Sequence, residues 1–321
     1  MGKKIKVGII GAGGRAKFQT TAVKESDIGE PLIVFSPFAD EAKGFSEKHG
    51  LKWTTSLDEI LENPEISAVT ISTPNATHYP IAKKALEKNK NVLVEYPPTL
   101  KLQEIDNLIS LAKEKKLVYW VSLTQLLENP HHTIKKRLKM LGKPIISHYT
   151  YISSSIGGWY VNPEFAGPIY TWQHFHFVSQ LLEIDKDVEN VCAFKNIRYG
   201  SDGKMLSTCS TMLLKMASGH ISTIEFAMGA TNTGEFKIKL AGENGIFYFD
   251  NKLYFIDRKN GQKEIELEKS SLASDTANFL KAASEGETHI ATALEAKKIL
   301  NICLTADISA EQKLVMKIKE S

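Results

Sequence analysis

Cysteine is scarce in this chain: Cys192, Cys209 and Cys303 are all there is in 321 residues. Three widely separated thiols suit packing roles in a reducing compartment better than a disulfide framework. Long apolar runs are missing too. The start, M-G-K-K-I-K-V, passes from charge straight into a segment too short for a signal peptide or membrane span, so a cytoplasmic location is expected. Gly2 lacks the Ser or Thr that a myristoylation motif needs. Charge of one sign is also lacking, since 40 Lys and Arg stand against 37 Asp and Glu. The resulting +3 is spread through both halves, which argues against a nucleic-acid surface or a polybasic membrane patch. The densest basic run, Lys135 to Lys139, is broken by Leu138 and reads as a solvated helix face. Repeats and low-complexity tracts are absent.

What remains is an ordinary globular composition, 42% hydrophobic and 24% charged, in a chain long enough for two domains. Lys4 to Ile10 is a continuous apolar run, as in a strand buried on both faces. It feeds G-A-G-G-R-A, where Gly11, Gly13 and Ala16 fill a G-x-G-x-x-G/A fingerprint. Gly11 permits the tight turn, Gly13 lets backbone approach a pyrophosphate, and Ala16 allows close helix packing. The helix predicted over Ala16 to Glu25 aims its amino terminus at that phosphate. Ala12, Gly14 and Arg15 complete the expected phosphate loop.

A second strand, Leu32 to Phe35, ends at Ser36, where an acid would read the ribose 2′-hydroxyl of NAD. The nearest carboxylate in view is Asp40, placed in the next helix (Asp40 to His49). With Ser36 neutral and Arg15 nearby, NADP is the expected cofactor, NAD the second choice. A short strand at Lys52 to Thr54 and a helix capped by Ser56 come next. The strand Ala68 to Ser72 then runs into T-P-N-A-T-H, Thr73 to His78, a second loop at the carboxyl edge of the sheet. There Asn75 either contacts a ligand or turns the chain, and His78 either contacts a ligand or caps the helix Pro80 to Asn89. The next strand, within K-N-V-L-V-E-Y-P, delivers Glu95, Tyr96 and Pro97 at its end, and ligands of open α/β sheets bind there. Helix Leu102 to Lys115 and strand Leu117 to Val121 close a parallel, doubly wound domain, 1–122.

The remainder, 123–321, reads as α+β with a large, mostly antiparallel sheet. Its strands are expected at Ile145 to Ile152, Val188 to Ile197, Ser210 to Met216, His220 to Met228, Phe236 to Leu240, Ile246 to Phe249, Leu253 to Asp257 and Glu264 to Leu267. Helices are expected at Pro130 to Leu141, Thr171 to Leu182, Asp275 to Ser284 and Ala291 to Gln312. Ser153 to His176 is dense in rings, and Trp159, Tyr160, Trp172 and His174 are candidates for a substrate wall.

The G-x-G-x-x-A, the Thr73-Pro74-Asn75 loop with His78, the E-x-P at Glu95 and Pro97 and the antiparallel second domain fall in one order. In this the chain resembles, over essentially its whole length, the family named for glucose-fructose oxidoreductase, inositol 2-dehydrogenase and MocA. The resemblance implies a Rossmann domain holding NAD(P), a sheet domain facing the substrate, and hydride transfer to or from a small molecule. It moves Ser72, Thr73, Pro74, Asn75 and His78 to cofactor contacts and gives Glu95 the nicotinamide ribose. No metal is implied. Members often pair through the second sheet, so a homo-oligomer is expected.

Two departures stand out. The family's sugar dehydrogenases carry E-K-P and a D-x-x-x-H helix; here Tyr96 replaces the lysine, and Trp172 stands four residues before His176. A phenol near its ordinary pKa of ~10 donates a proton more readily than it takes one. That favours reduction of a carbonyl, imine or conjugated double bond, with Tyr96 or His176 as donor. E-Y-P is also similar to the biliverdin reductases, but Ser122, Leu123 and Gln125 replace the histidine and acids found there. A non-catalytic NAD(P) sensor and a sugar or polyol dehydrogenase are the other readings.

Overall fold

The computed structural model describes residues 4–286 and 288–319. The apolar run after Lys4 forms β1 (Ile5–Ile10), with Val7, Ile9 and Ile10 fully buried because a parallel strand flanks it on each side. In chain order follow α1 (Gly14–Glu25), β2 (Gly29–Phe35), α2 (Ala39–His49), β3 (Lys52–Thr54), α3 (Leu57–Leu61) and β4 (Ile66–Ile71). Then come α4 (His78–Glu87), β5 (Asn91–Val94), α5 (Leu102–Lys115) and β6 (Tyr119–Val121). The six strands lie in the order β3-β2-β1-β4-β5-β6, every pair parallel. Chain direction across the sheet reverses between β1 and β4, which opens a crevice at their carboxyl ends. Register brings those ends level: Ile10 pairs with Phe35 and Ile71, Ile71 with Val94, and Val94 with Val121. Ser56 precedes α3 but makes no side-chain cap; its N–H donates to Thr54 Oγ1 (2.9 Å) instead.

The second sheet is built from the middle of the chain. After α6 (Asn129–Lys136) come β7 (Pro144–Ser153), α7 (Pro163–Ala166), α8 (Ile169–Gln173), α9 (Phe175–Ile184), β8 (Val188–Tyr199) and β9 (Met205–Met216). Then follow β10 (Ile221–Met228), β11 (Glu235–Gly242), β12 (Gly245–Asp250), β13 (Lys252–Asp257) and β14 (Gly261–Ile265). The basic run ending α6 is ion-paired, Lys135 with Glu183 and Lys136 with Glu268. The nine-stranded order is β14-β13-β12-β11-β7-β10-β9-β8-β15, where β15 is the short Met316–Lys317; its pairs are antiparallel except β7 with β10. The helix expected over Thr171 to Leu182 is broken at His174. There φ is −96° and ψ −12°, and Gln173 and His174 both bond Ser210 of β9. β9 also starts earlier than its alternation suggests, because buried Ser207 and Thr208 interrupt the apolar pattern.

The last helices are α10 (Ala273–Glu285) and α11 (Ala291–Gln312). Two compact units result. The first takes the chain up to Thr124 and also Ser271–Lys297; the second takes Gln125–Ser270 and the chain from Lys298 onward. The segment carrying α10 thus returns to the parallel sheet instead of joining the expected second domain. Its Phe279 and Leu280 are fully buried in one cluster with Val7, Ile9, Val23, Val34 and Leu93. No described helix is long and apolar enough to cross a membrane.

Candidate dinucleotide and active site

β1 runs into Gly11 at φ +114°, where a Cβ would lie 2.3 Å from Ser72 O. Only glycine lets this turn pass so close to the end of β4. Gly11 N donates to Phe35 O (2.9 Å) and Ser72 N to Ile10 O (2.8 Å), tying three strand ends together. Gly13 precedes α1 with no side-chain cap, and the first turn of α1 contains no acid. Its N–H groups lack intrahelical acceptors. A Cβ on Gly13 or Gly14 would meet nothing within 4 Å. A bare helix terminus fronted by open space is the cradle that a pyrophosphate fits.

At the end of β5, Glu95 is buried and accepts three hydrogen bonds, which leaves its carboxylate one further acceptor position. Arg15 Nη2 donates to both its oxygens (2.9 and 3.1 Å) and to Thr124 Oγ1 (3.1 Å), and Gln19 Nε2 donates to Glu95 Oε1 (2.7 Å). Arg15 therefore folds back on the acid instead of standing clear for phosphate. Burial works against its charge, but Glu95, with Tyr96 and Asp275 farther down, more than offsets this and raises its pKa. Tyr96 is half-buried within the field of that cation, and the Tyr96–Pro97 bond is cis. Behind Glu95, Asp275 accepts from Trp120 Nε1 and Ser122 Oγ (2.9 Å each). Burial, reinforced by nearby Glu95, pushes its carboxyl up to about 6.

The second loop is held from within. Thr77 Oγ1 lies 2.8 Å from Thr73 Oγ1 and 2.7 Å from Pro74 O. His78 is buried, with Nδ1 2.8 Å from Pro97 O and Nε2 2.8 Å from Thr73 O. Each ring nitrogen faces a main-chain carbonyl, and the neutral ring, favoured because burial lowers its pKa, donates to one of the two; lying between the loops, it offers no free edge to a ligand. Asn75 is buried as well, while Ser72, Thr73 and Pro74 are half-exposed at the sheet edge. At the end of β2, Ser36 Oγ donates to Glu41 Oε2 (3.0 Å). The first turn of α2 thus supplies the carboxylate that the strand end lacks. Its Asp40-Glu41 pair is the sequence signal that points to it.

In the second unit His174 is fully buried and its Nε2 lies 2.8 Å from Ser210 Oγ. Ser210 donates to Gln173 Oε1, so His174 carries its hydrogen on Nε2. Burial lowers its pKa to about 3. It is a neutral core residue and does not line a substrate wall. Trp172 is buried also, at 5.0 Å from Tyr160, which stacks on Trp159 at 3.7 Å; these last two are half-exposed. His176 is half-buried in the first turn of α9. Gln19, Glu41, Asp275 and Thr276 were not singled out by sequence; for the last two no local pattern points to Glu95. Among the described residues no group of His, Cys, Asp and Glu is arranged to hold a metal ion.

A glycine cradle before an uncapped helix, at the reversal point of a parallel sheet, defines a dinucleotide-binding unit. Residues 5–123, the segment that carries the parallel sheet, match the oxidoreductase family with an NAD-binding Rossmann fold, GFO_IDH_MocA. The scyllo-inositol 2-dehydrogenase (NAD(+)) of Bacillus subtilis (strain 168) is 30% identical over 149 residues, 45% of this chain and 44% of that one. The matched stretch spans less than half the length of most of the curated relatives. Biliverdin reductase from Synechocystis sp. PCC 6803, solved with biliverdin and NADP+, superposes with a TM-score of 0.86 at 21% identity, over 94% of this chain and 98% of that one. Levoglucosan dehydrogenase, solved with NADH and levoglucosan, gives 0.85 at 17%, over 99% and 100%. At such identities the superpositions describe the fold.

Proposed function

We propose that the chain is an NAD(P)H-dependent reductase acting on a polarised carbonyl, imine or conjugated double bond of a small molecule. The observation that carries this reading is the corner at Glu95 and Tyr96, where a phenol stands in the field of Arg15. A bound dinucleotide supplies the hydride. The cradle at Gly11, Gly13 and Gly14 holds its phosphates through main-chain N–H groups, and Glu95 orients the nicotinamide ribose. Tyr96 gives the proton from its hydroxyl, and the fixed positive charge of Arg15 stabilises the phenolate left behind. His176 is the alternative donor.

For the coenzyme, Glu41 at Ser36 favours NADH: a carboxylate there accepts from ribose hydroxyls and repels a 2′-phosphate. Steady-state constants with NADH and NADPH test this, and a clear preference for NADPH rejects it. A panel of carbonyl, imine, enone and bilin substrates tests the activity. Tyr96→Phe is expected to lower turnover about 10²-fold while NADH affinity holds. If Tyr96→Phe and His176→Ala both retain full turnover, the assignment is wrong.

A bilin substrate is the second reading. It is favoured by the E-Y-P sequence and by the ladder of Trp159, Tyr160 and Trp172, flat rings suited to a conjugated ligand. Turnover of biliverdin against levoglucosan or inositol discriminates it from sugar chemistry, and NADH binding without turnover on any of them supports a sensor. We further infer a cytoplasmic homo-oligomer paired through the second sheet, where Phe194 and Leu213 stand exposed on adjacent strands. A monomeric mass in sedimentation would contradict that pairing.

A further inference from the structure

We propose that Thr276, with Asp275 beside it on α10, positions Glu95 for the bound coenzyme, a role that rests on the reading of Glu95 given above. Gln19 stands between them. Its side-chain amide has one accepting and one donating end. Thr276 Oγ1 donates to Gln19 Oε1 at 2.6 Å, which turns Gln19 Nε2 onto Glu95 Oε1 at 2.7 Å. Without the threonine hydroxyl, the amide oxygen loses its donor in a fully buried position, and only the bond to Glu95 is left to hold the amide in that orientation.

Asp275 works by a second route. It accepts from Trp120 Nε1 and Ser122 Oγ at the end of β6, and Ser122 N donates to Val94 O (2.9 Å), the residue before Glu95. Two successive residues of one helix thus fix both the carboxylate and the strand end that carries it. Gln19, Ser122 and Thr276 are fully buried, while Glu95 and Asp275 are 5% and 6% exposed. The charges facing this group are Arg15 from α1 and the two carboxylates themselves.

The test is calorimetric titration of the full chain with NADH, together with thermal melting, for Thr276→Val, Thr276→Ser, Glu95→Gln and the Glu95→Gln/Thr276→Val pair. Thr276→Val is expected to weaken NADH binding about tenfold, the effect of one lost buried hydrogen bond, while Thr276→Ser stays within about twofold of wild type. The double variant is expected to bind no more weakly than Glu95→Gln alone, because both changes act through one carboxylate. Should Thr276→Val not fold, Gln19→Met takes its place with the same expectation. A Thr276→Val protein that melts earlier but binds NADH as wild type, or losses that add in the pair, overturns the inference. If Glu95→Gln itself binds NADH normally, it is the role of Glu95 that fails.

Discussion

Gly11 and Gly13 lie two residues apart and are expected to answer the same substitution differently. Gly11→Ala places a Cβ 2.3 Å from Ser72 O in a left-handed conformation, which costs about 1–3 kcal/mol and displaces the loop. Gly13→Ala meets no protein atom within 4 Å, at φ −89° and ψ −170° that alanine adopts freely. Its stability in urea should match or exceed wild type by up to about 1 kcal/mol, while NADH affinity falls about tenfold or more because the space belongs to the ligand. Unchanged affinity would empty the cradle of its meaning. His174 gives a residue-scale pH prediction. Unfolded, it takes a proton below its ordinary 6.5; folded, it resists until about 3, since Nδ1 has no hydrogen-bond partner and burial opposes charge. Its contribution is therefore present above pH 6.5 and lost as pH falls towards 3, with a slope approaching about 1.4 kcal/mol per pH unit. His174→Gln keeps a donor for Ser210 and does not titrate. Urea unfolding across that window should show a shallower acid limb, and an unchanged slope would refute the assignment.

At the scale of elements, α2 and α5 end alike, each on a left-handed residue, Gly50 at φ 64° and Lys116 at φ 54°. The glycine is at ease there, whereas the lysine pays for its Cβ. Lys116→Gly should therefore stabilise the protein by about 0.5–1 kcal/mol, read as a higher melting temperature; a lower one would mean that the lysine stem packs usefully. Most elements here were legible because they are local. The run before Gly11, the period of α5 and the bounds of α11 need only neighbouring residues to define them. The site was legible in the same degree: the glycine cradle and the E-Y-P corner follow from spacing along one strand and one turn. What escaped was long-range. Glu41 reaches Ser36 only once α2 has been set down, and Arg15 turns from phosphate to Glu95 only because β5 ends beside α1. His78 and His174 looked like ligand contacts because a histidine carries no sign of which carbonyl or hydroxyl will claim its ring. The partner of Gln173 and His174 at the break between α8 and α9 is Ser210, in another element altogether.

For the whole molecule, the consequence lies in a first unit whose chain is not continuous. Its parallel sheet is complete by Val121, and a reader of the sequence would cut there. The core is not complete: α10 fills it with Phe279 and Leu280, each fully buried, and a side chain of that kind is worth about 1.5–3 kcal/mol. The same segment supplies the acceptor for Trp120 Nε1 and the donor for Gln19, two buried groups otherwise left unpaired. The main chain joins in, with Tyr119 N donating to His289 O and Val121 N to Thr292 Oγ1. These losses together are comparable to the entire stability of a small domain. The segment 1–124 expressed alone should therefore lack a cooperative unfolding transition and fail to bind NADH. The same segment joined by a flexible linker to 271–297 should regain both, because a linker that replaces the intervening residues adds only a modest loop-closure cost. Denaturant melts and NADH titration of the two proteins check this. Cooperative unfolding of 1–124 alone, with the affinity of the full chain, would show that α10 decorates a unit already complete and would remove the basis for its hold on Glu95.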